Sequence, residues 1–319
     1  MPNKSMRLTL ASAAALTAMT LGAAAQGYPE RVIEMVNPYP PGGATDIMGR
    51  ALADAMAAHL GQRLVFINRP GANGAIGTAA VARAAPDGYT VLFTAAVSIV
   101  VNPLTQKAPG YTLHSFDHIC QAFKNEMVIV VRQDSPFRTA GDLIRAGREK
   151  PGALSYGILG IGSIPHLAMV ELSQAAHVSF NAIPFKGDAD VIQQVHGGHT
   201  DFGAIVLASA ASSGLRILGL FSNSRNPGVP DLPTLKEQGV DVAPASPGGV
   251  SAPAGLPDVA KSKLREACKA ASENPAYLRV MKSVYQPTDF YADAETYTKT
   301  LEKESADKGR LLGELGMLK

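Results

Sequence analysis

Apolar positions along the chain recur with two different spacings. Short apolar runs at residues 31–36, 64–68, 90–94, 127–132, 180–185, 202–206 and 216–221 predict strands. Longer segments between them carry apolar residues at helical spacing and predict helices at 45–60, 73–84, 141–150, 163–176 and 190–196, with two or three more from Pro257 to the end. In the first of these, Met48, Leu52, Ala55, Met56 and His59 share one face. Thr139 with Asp142, and Thr234 with Glu237, have the spacing of capping boxes and predict helix starts. Ser163 is placed to cap a helix whose first turn accepts Pro165. Short strands alternating with helices of this length predict an α/β fold with mostly parallel sheets.

Composition changes this picture only in detail. The chain is 46% hydrophobic and 18% charged, enough for a substantial core, and 319 residues suggest about two domains. The stretch 240–257, rich in Pro, Gly and small residues, reads as a crossing between them, and a second crossing is placed near residues 118–127. Lys4 and Arg7 precede an uncharged, Ala-rich run ending in Ala23-Ala24-Ala25, which predicts a signal peptide over residues 1–25 and export. The competing transmembrane anchor is disfavoured by the shortness of the run and its Ala content. Removing Lys4 and Arg7 leaves 27 basic and 27 acidic residues, so nucleic acid and anionic membrane surfaces are poor partners and any anion site must be local. Cys120 and Cys268 are too few and too far apart for a metal cluster. In an exported chain they form either a disulfide or two buried thiols.

Two glycine-rich loops carry the chemistry. NPYPPGGATDIMG, from Asn37, places rigid prolines and bare glycines at the start of a helix. Helix starts present unpaired N–H groups and a positive dipole end, so this is a potential anion site. A simple strand-to-helix turn is the alternative. YGILGIGSIPH, from Tyr156, repeats the arrangement in the second half of the chain. Its glycines run G-x-x-G-x-G, not G-x-G-x-x-G, and no Walker lysine follows either loop, so no nucleotide cofactor is expected. Ser163 lies outside a G-x-S-x-G elbow, and no histidine has metal-ligand spacing, so neither a catalytic residue nor a metal is assigned. Asp46 either binds water or a ligand amine, or simply occupies the first turn of its helix.

The chain resembles the substrate-binding proteins of tripartite tricarboxylate transporters, the Bug or TctC family. The resemblance rests on PYPPGGATDIMGR, INRPGANGAIGTAAVARAAPDGYTVLFT, KPGALSYGILGIGSIPHLAMVEL, PFKGDADVIQQVHGGHTDF and PDLPTLKEQG, in that order. It implies a type II-like, two-lobed periplasmic binding protein with two hinge crossings, lobe 1 comprising residues 26–126 and 246–319 and lobe 2 residues 127–245. It further implies a small carboxylate ligand (a di- or tricarboxylate, an acidic amino acid or an aromatic acid), membrane permease subunits as partners, and a monomer. The implied contacts are Tyr39, Pro40, Gly42, Gly43, Ala44, Thr45, Asp46, Thr94 and Ala95 from lobe 1, and Gly160, Gly162, Ser163, His166, Gly187, Asp188 and Ala189 from lobe 2. In the family the first loop holds a carboxylate through backbone amides and water. Three departures stand out. The chain has no Trp and reads SPGG where many relatives carry one; GIL replaces a stretch often containing serine; and Asp188 adds an acid that faces either the cleft or solvent. A sensor presenting its closed form to a receptor, and a hydrolase using Ser163 and His166, are the competing functions.

Overall fold

The structure, a computed structural model, describes residues 27–244, 246–287 and 289–319; the predicted signal peptide lies outside the described residues. Two five-stranded sheets form two lobes. The first is built from β1 (Ile33–Asn37), β2 (Leu64–Asn68), β3 (Thr90–Ala95), β4 (Phe116–Lys124) and β10 (Pro247–Pro253), in the order β2-β1-β3-β10-β4. The second contains β5 (Met127–Val131), β6 (Ser155–Ile158), β7 (Asn181–Pro184), β8 (Phe202–Val206) and β9 (Arg216–Phe221), in the order β7-β6-β8-β5-β9. Four strands of each sheet run one way and the fifth is reversed. The reversed strands, β10 and β5, are the first strands the chain makes after changing lobes. Each enters its sheet from the cleft side, so it must run against the strands that lead toward the cleft.

The helices are α1 (Ala44–Leu60), α2 (Ala75–Ala82), α3 (Ala96–Thr105), α4 (Ala140–Glu149), α5 (Ile164–Ala176), α6 (Asp188–His196), α7 (Leu207–Ala211), α8 (Asp258–Ser272), α9 (Pro275–Ser283) and α10 (Ala294–Glu314). Met48, Leu52 and Met56 of α1 are fully buried, and Gly61 closes the helix at φ +68° with its N–H on the Ala57 carbonyl. α8 and α9 pack on α1, and α10 packs on α3 and β4, so the C-terminal helices complete the first lobe. Tyr277 and Tyr297 are buried there with Phe93 and Phe123, each contributing about 1.5–3 kcal/mol by its burial. The second core gathers Met127, Ile129, Leu143, Leu172 and Phe202, with Tyr156 stacked on Phe202 at 5.2 Å.

The structure revises several predicted elements. The crossing placed at 118–127 is mostly β4 and contracts to Asn125 and Glu126, while the one at 240–257 ends in β10. α3 and α7 were not predicted; AVSIVV is rich in β-branched residues, yet it turns helical directly after β3. The helix predicted from residue 73 begins instead as a 3-10 turn, Ala72–Gly74, because Asn73 and Gly74 have positive φ. Thr139 forms its capping box, but the reciprocal bonds of Thr234 and Glu237 close a turn and start no helix. The cysteines, left open above, are bonded: Cys120 of β4 and Cys268 of α8 form a buried disulfide with Cα atoms 6.5 Å apart.

Candidate functional site

A cleft of about 700 Å³ opens between the lobes. Its first wall is the loop from β1 to α1. Gly42 sits at φ +86°, a conformation that favours glycine, whereas Gly43 is extended at φ −80° and caps α1 without a side chain. The first helical bond of α1 runs from the Ile47 N–H to the Gly43 carbonyl at 3.1 Å. The N–H groups of Ala44, Thr45 and Asp46 therefore precede the ladder and no side chain caps them, which leaves donors at the positive end of a seventeen-residue helix.

Asp46 holds this loop in place. One carboxylate oxygen accepts from the Gly42 N–H at 3.0 Å and from Arg50 Nε at 3.2 Å; the other accepts from Asn68 Nδ2 at 2.9 Å and pairs with Arg50 Nη2 at 2.9 Å. Asn68 Nδ2 also donates to the Tyr39 carbonyl at 3.1 Å. Burial alone would raise the Asp46 pKa, but the bonds from Arg50, Gly42 and Asn68 outweigh it and hold the carboxyl below its ordinary range. Beside the loop, the buried Tyr39 hydroxyl makes no hydrogen bond, and burial pushes its pKa up. Its neighbours Thr94 and Ser98 pair with each other at 2.6 Å.

The second wall comes from the starts of α5 and α6 and from α7. Ser163 caps α5, its hydroxyl accepting the His166 N–H at 3.4 Å, and it lines the cleft with Leu159, Ile164 and Pro165. Lys186, Gly187, Asp188 and Ala189 enter at the start of α6, and Ser209 from α7. Asp188 Oδ1 is buried without a hydrogen-bond partner, although the residue as a whole is partly exposed. Burial pushes its carboxyl up to about 6, with the Ser209 hydroxyl and the Val206 backbone N–H pulling the other way. The floor is the pair of crossings, where the Asn125 N–H donates to the Ser246 carbonyl at 2.9 Å. Among the described residues no group of His, Cys, Asp or Glu could hold a metal ion.

Residues 48–317 match the family described as the tripartite tricarboxylate transporter family receptor. The chain belongs to this family. A Cupriavidus necator relative, the UPF0065 protein in the gbd 5' region, is 33% identical over 315 residues, covering 97% of this chain and 94% of its own. The solved structure of the periplasmic binding protein BugD superposes with a TM-score of 0.78 at 30% identity, covering 91% of this chain and 99% of BugD. R. palustris Rpa4515 with adipate superposes at 0.80 and 25% identity, over 91% and 98% of the two chains.

For this tricarboxylate-receptor chain, twelve of the expected residues line one cleft: Tyr39, Pro40, Gly42, Gly43, Ala44, Thr45, Asp46, Ala95, Ser163, Gly187, Asp188 and Ala189. Thr94, Gly160, Gly162 and His166 lie outside the lining. Thr94 is fully buried behind Tyr39. Gly160 and Gly162 have φ of +98° and +79°, so the turn itself calls for glycine there. The His166 ring accepts the Gly162 N–H on Nδ1 at 3.1 Å, and burial lowers its pKa. Ser163 therefore bonds to the backbone N–H of His166, while the ring Nδ1 is taken by the Gly162 N–H. Sequence reasoning missed Arg50 and Asn68 as loop anchors, and Asn125, Ser209, Ser246 and the Pro70–Gly71–Asn73–Gly74 loop as lining. The i,i+4 spacing of Asp46 and Arg50 was the available sign.

Proposed function

We propose that this protein is a periplasmic solute receptor that closes its two lobes on a small carboxylate and presents it to membrane permease subunits. One observation carries the reading: the uncapped N-terminus of α1, with its approach loop anchored by Asp46, faces the interlobe cleft. Preorganised N–H donors hold an anion without a buried lysine, and water completes the shell. Lys186, exposed, is the one basic side chain among the described lining residues. Family membership supports the permease partnership, and the adipate bound to Rpa4515 supports a carboxylate ligand. The lobes are taken as residues 26–126 with 246–319, and 127–245, swinging about the two adjacent crossings.

The test is Gly43→Val. In a glycine-rich turn a β-branched residue should both block the ligand and strain the turn. The second half is corrected by the structure: Gly43 is extended, and a Cβ built on it has nothing within 4 Å. The variant therefore fills only the anion site. We expect the melting temperature to stay within a few degrees and calorimetric affinity for the best acid from a thermal-shift screen to fall roughly 100-fold or more. Unchanged affinity would reduce the loop to a turn.

A further inference from the structure

We propose that the lobe 2 wall of the cleft holds a protonated amine against Asp188, so that the captured ligand is an amino acid and not a plain di- or tricarboxylate. The inference rests on the reading of the cleft as a carboxylate site. It starts from the contrast between two acids, each in the first turn of a helix bordering the same cleft. Asp46 uses both oxygens on Gly42, Arg50 and Asn68. Asp188 has no such set. Gly187 precedes it as the helix cap with no side-chain capping bond, and Oδ1 of Asp188 is buried and bonded to nothing. Asp188 is therefore not capping its own helix.

A buried carboxylate oxygen without a partner is costly, and the cost falls on the charged form. No basic group contributes to the Asp188 shift, so Lys186 does not neutralise it; burial is the dominant cause. A ligand hydroxyl would supply one neutral donor and leave the charge uncompensated. An ammonium supplies a full positive charge and three donors. Further acceptors are at hand: Ser209 lines the same cleft, and so does Asn125, whose Oδ1 is also buried without a partner. The two walls thus have opposite polarity. Lobe 1 offers backbone N–H donors to an anion and lobe 2 offers acceptors to a cation, which suits a zwitterion laid across the cleft.

The experiment is calorimetric titration of the full protein with matched acids that differ only in the amine: aspartate against succinate, glutamate against glutarate, 2-aminoadipate against adipate, and phenylalanine against 3-phenylpropionate. The wild-type protein is expected to bind the amino member of its preferred pair roughly 10- to 100-fold more tightly. Asp188→Asn, which keeps the shape, is expected to bring that ratio close to one with an unchanged melting temperature. Equal or tighter binding of the amine-free acid by the wild type overturns the inference and leaves carboxylate capture standing. A ratio unmoved by Asp188→Asn also overturns it. Failure of every acid to bind overturns the carboxylate reading itself, and this inference with it.

Discussion

Asp46 shows how much one side chain settles at the mouth of the cleft. Its carboxylate ties the Gly42 N–H, Arg50 and Asn68 together, and Asn68 in turn holds the Tyr39 carbonyl, so the loop arrives at α1 in one shape. Replacing it by alanine leaves these donors unmatched, and Asp46→Ala should cost about 1–3 kcal/mol of stability at neutral pH and weaken ligand binding. The pH dependence has a definite sign. Its folded pKa is lowered, so its contribution is complete above the unfolded value of about 3.9 and is lost as pH falls through the folded one. Denaturant melts should show a constant gap between wild type and Asp46→Ala above about pH 5, closing below about pH 4; a gap unchanged at pH 3 would contradict the role. The sequence displayed the glycine pair but not which member the turn requires. Only backbone angles separate Gly42, at φ +86°, from Gly43 at −80°.

Among the elements, those defined by their own periodicity were legible and those defined by neighbours were not. α1 and α5 carry their apolar faces within themselves, α5 with its Ser163 cap and α1 with its closing Gly61, and β2, β8 and β9 lie where their apolar runs do. β10 begins Pro-Gly-Gly, which reads as a break. It is a strand because Gly248 lies against the Phe123 ring and Gly249 against the Cys120 carbonyl, where any side chain would collide. Thr234 and Glu237 have the same spacing as Thr139 and Asp142, but Gly239 at φ +88° closes the turn before a helix can propagate. The disulfide joins β4 to α8 across 148 residues and takes no part in the cleft lining. The double variant Cys120→Ala, Cys268→Ala should lose up to roughly 4–5 kcal/mol, the chain-entropy limit for so long a loop, while its ligand Kd stays unchanged. Equal melting temperatures for the variant and wild type would show that the bridge contributes nothing.

At the scale of the whole molecule, polar ties join the lobes both at the crossings and away from them. The crossings bond to each other through Asn125 and Ser246, and Glu126 accepts from Ser222 and from Asn226, both at 2.7 Å. Away from the crossings, α10 of the first lobe reaches α5 of the second: buried Lys308 pairs with Glu171 at 2.5 Å, and Gln174 donates to Glu314 at 3.1 Å. A pair spanning two bodies stabilises whichever arrangement brings them together. Lys308→Met should therefore shift the unliganded protein toward an open form, with a larger radius of gyration by X-ray scattering and several-fold weaker ligand affinity. An unchanged radius together with an unchanged Kd would place the tie outside the closing motion.

The sequence by itself determined the α/β class, most strands and helices, the family and the two glycine-rich loops. These rest on local spacing, on steric demands of single residues and on motifs contiguous in the chain. Tertiary structure decided what depends on residues far apart. It joined Cys120 to Cys268, turned Pro247-Gly248-Gly249 into a strand, and committed Asp46 to the loop while leaving Oδ1 of Asp188 without a partner. Both acids lie in the first turns of their helices; Asp46, the third residue of its helix, has Arg50 four residues on, whereas Asp188, the first residue of its own, has Ile192 there. Asn68 lies 22 residues from Asp46, and only packing decides whether such a donor arrives. That difference in partners separates an acid with both oxygens bonded from one that keeps an oxygen unbonded at the cleft.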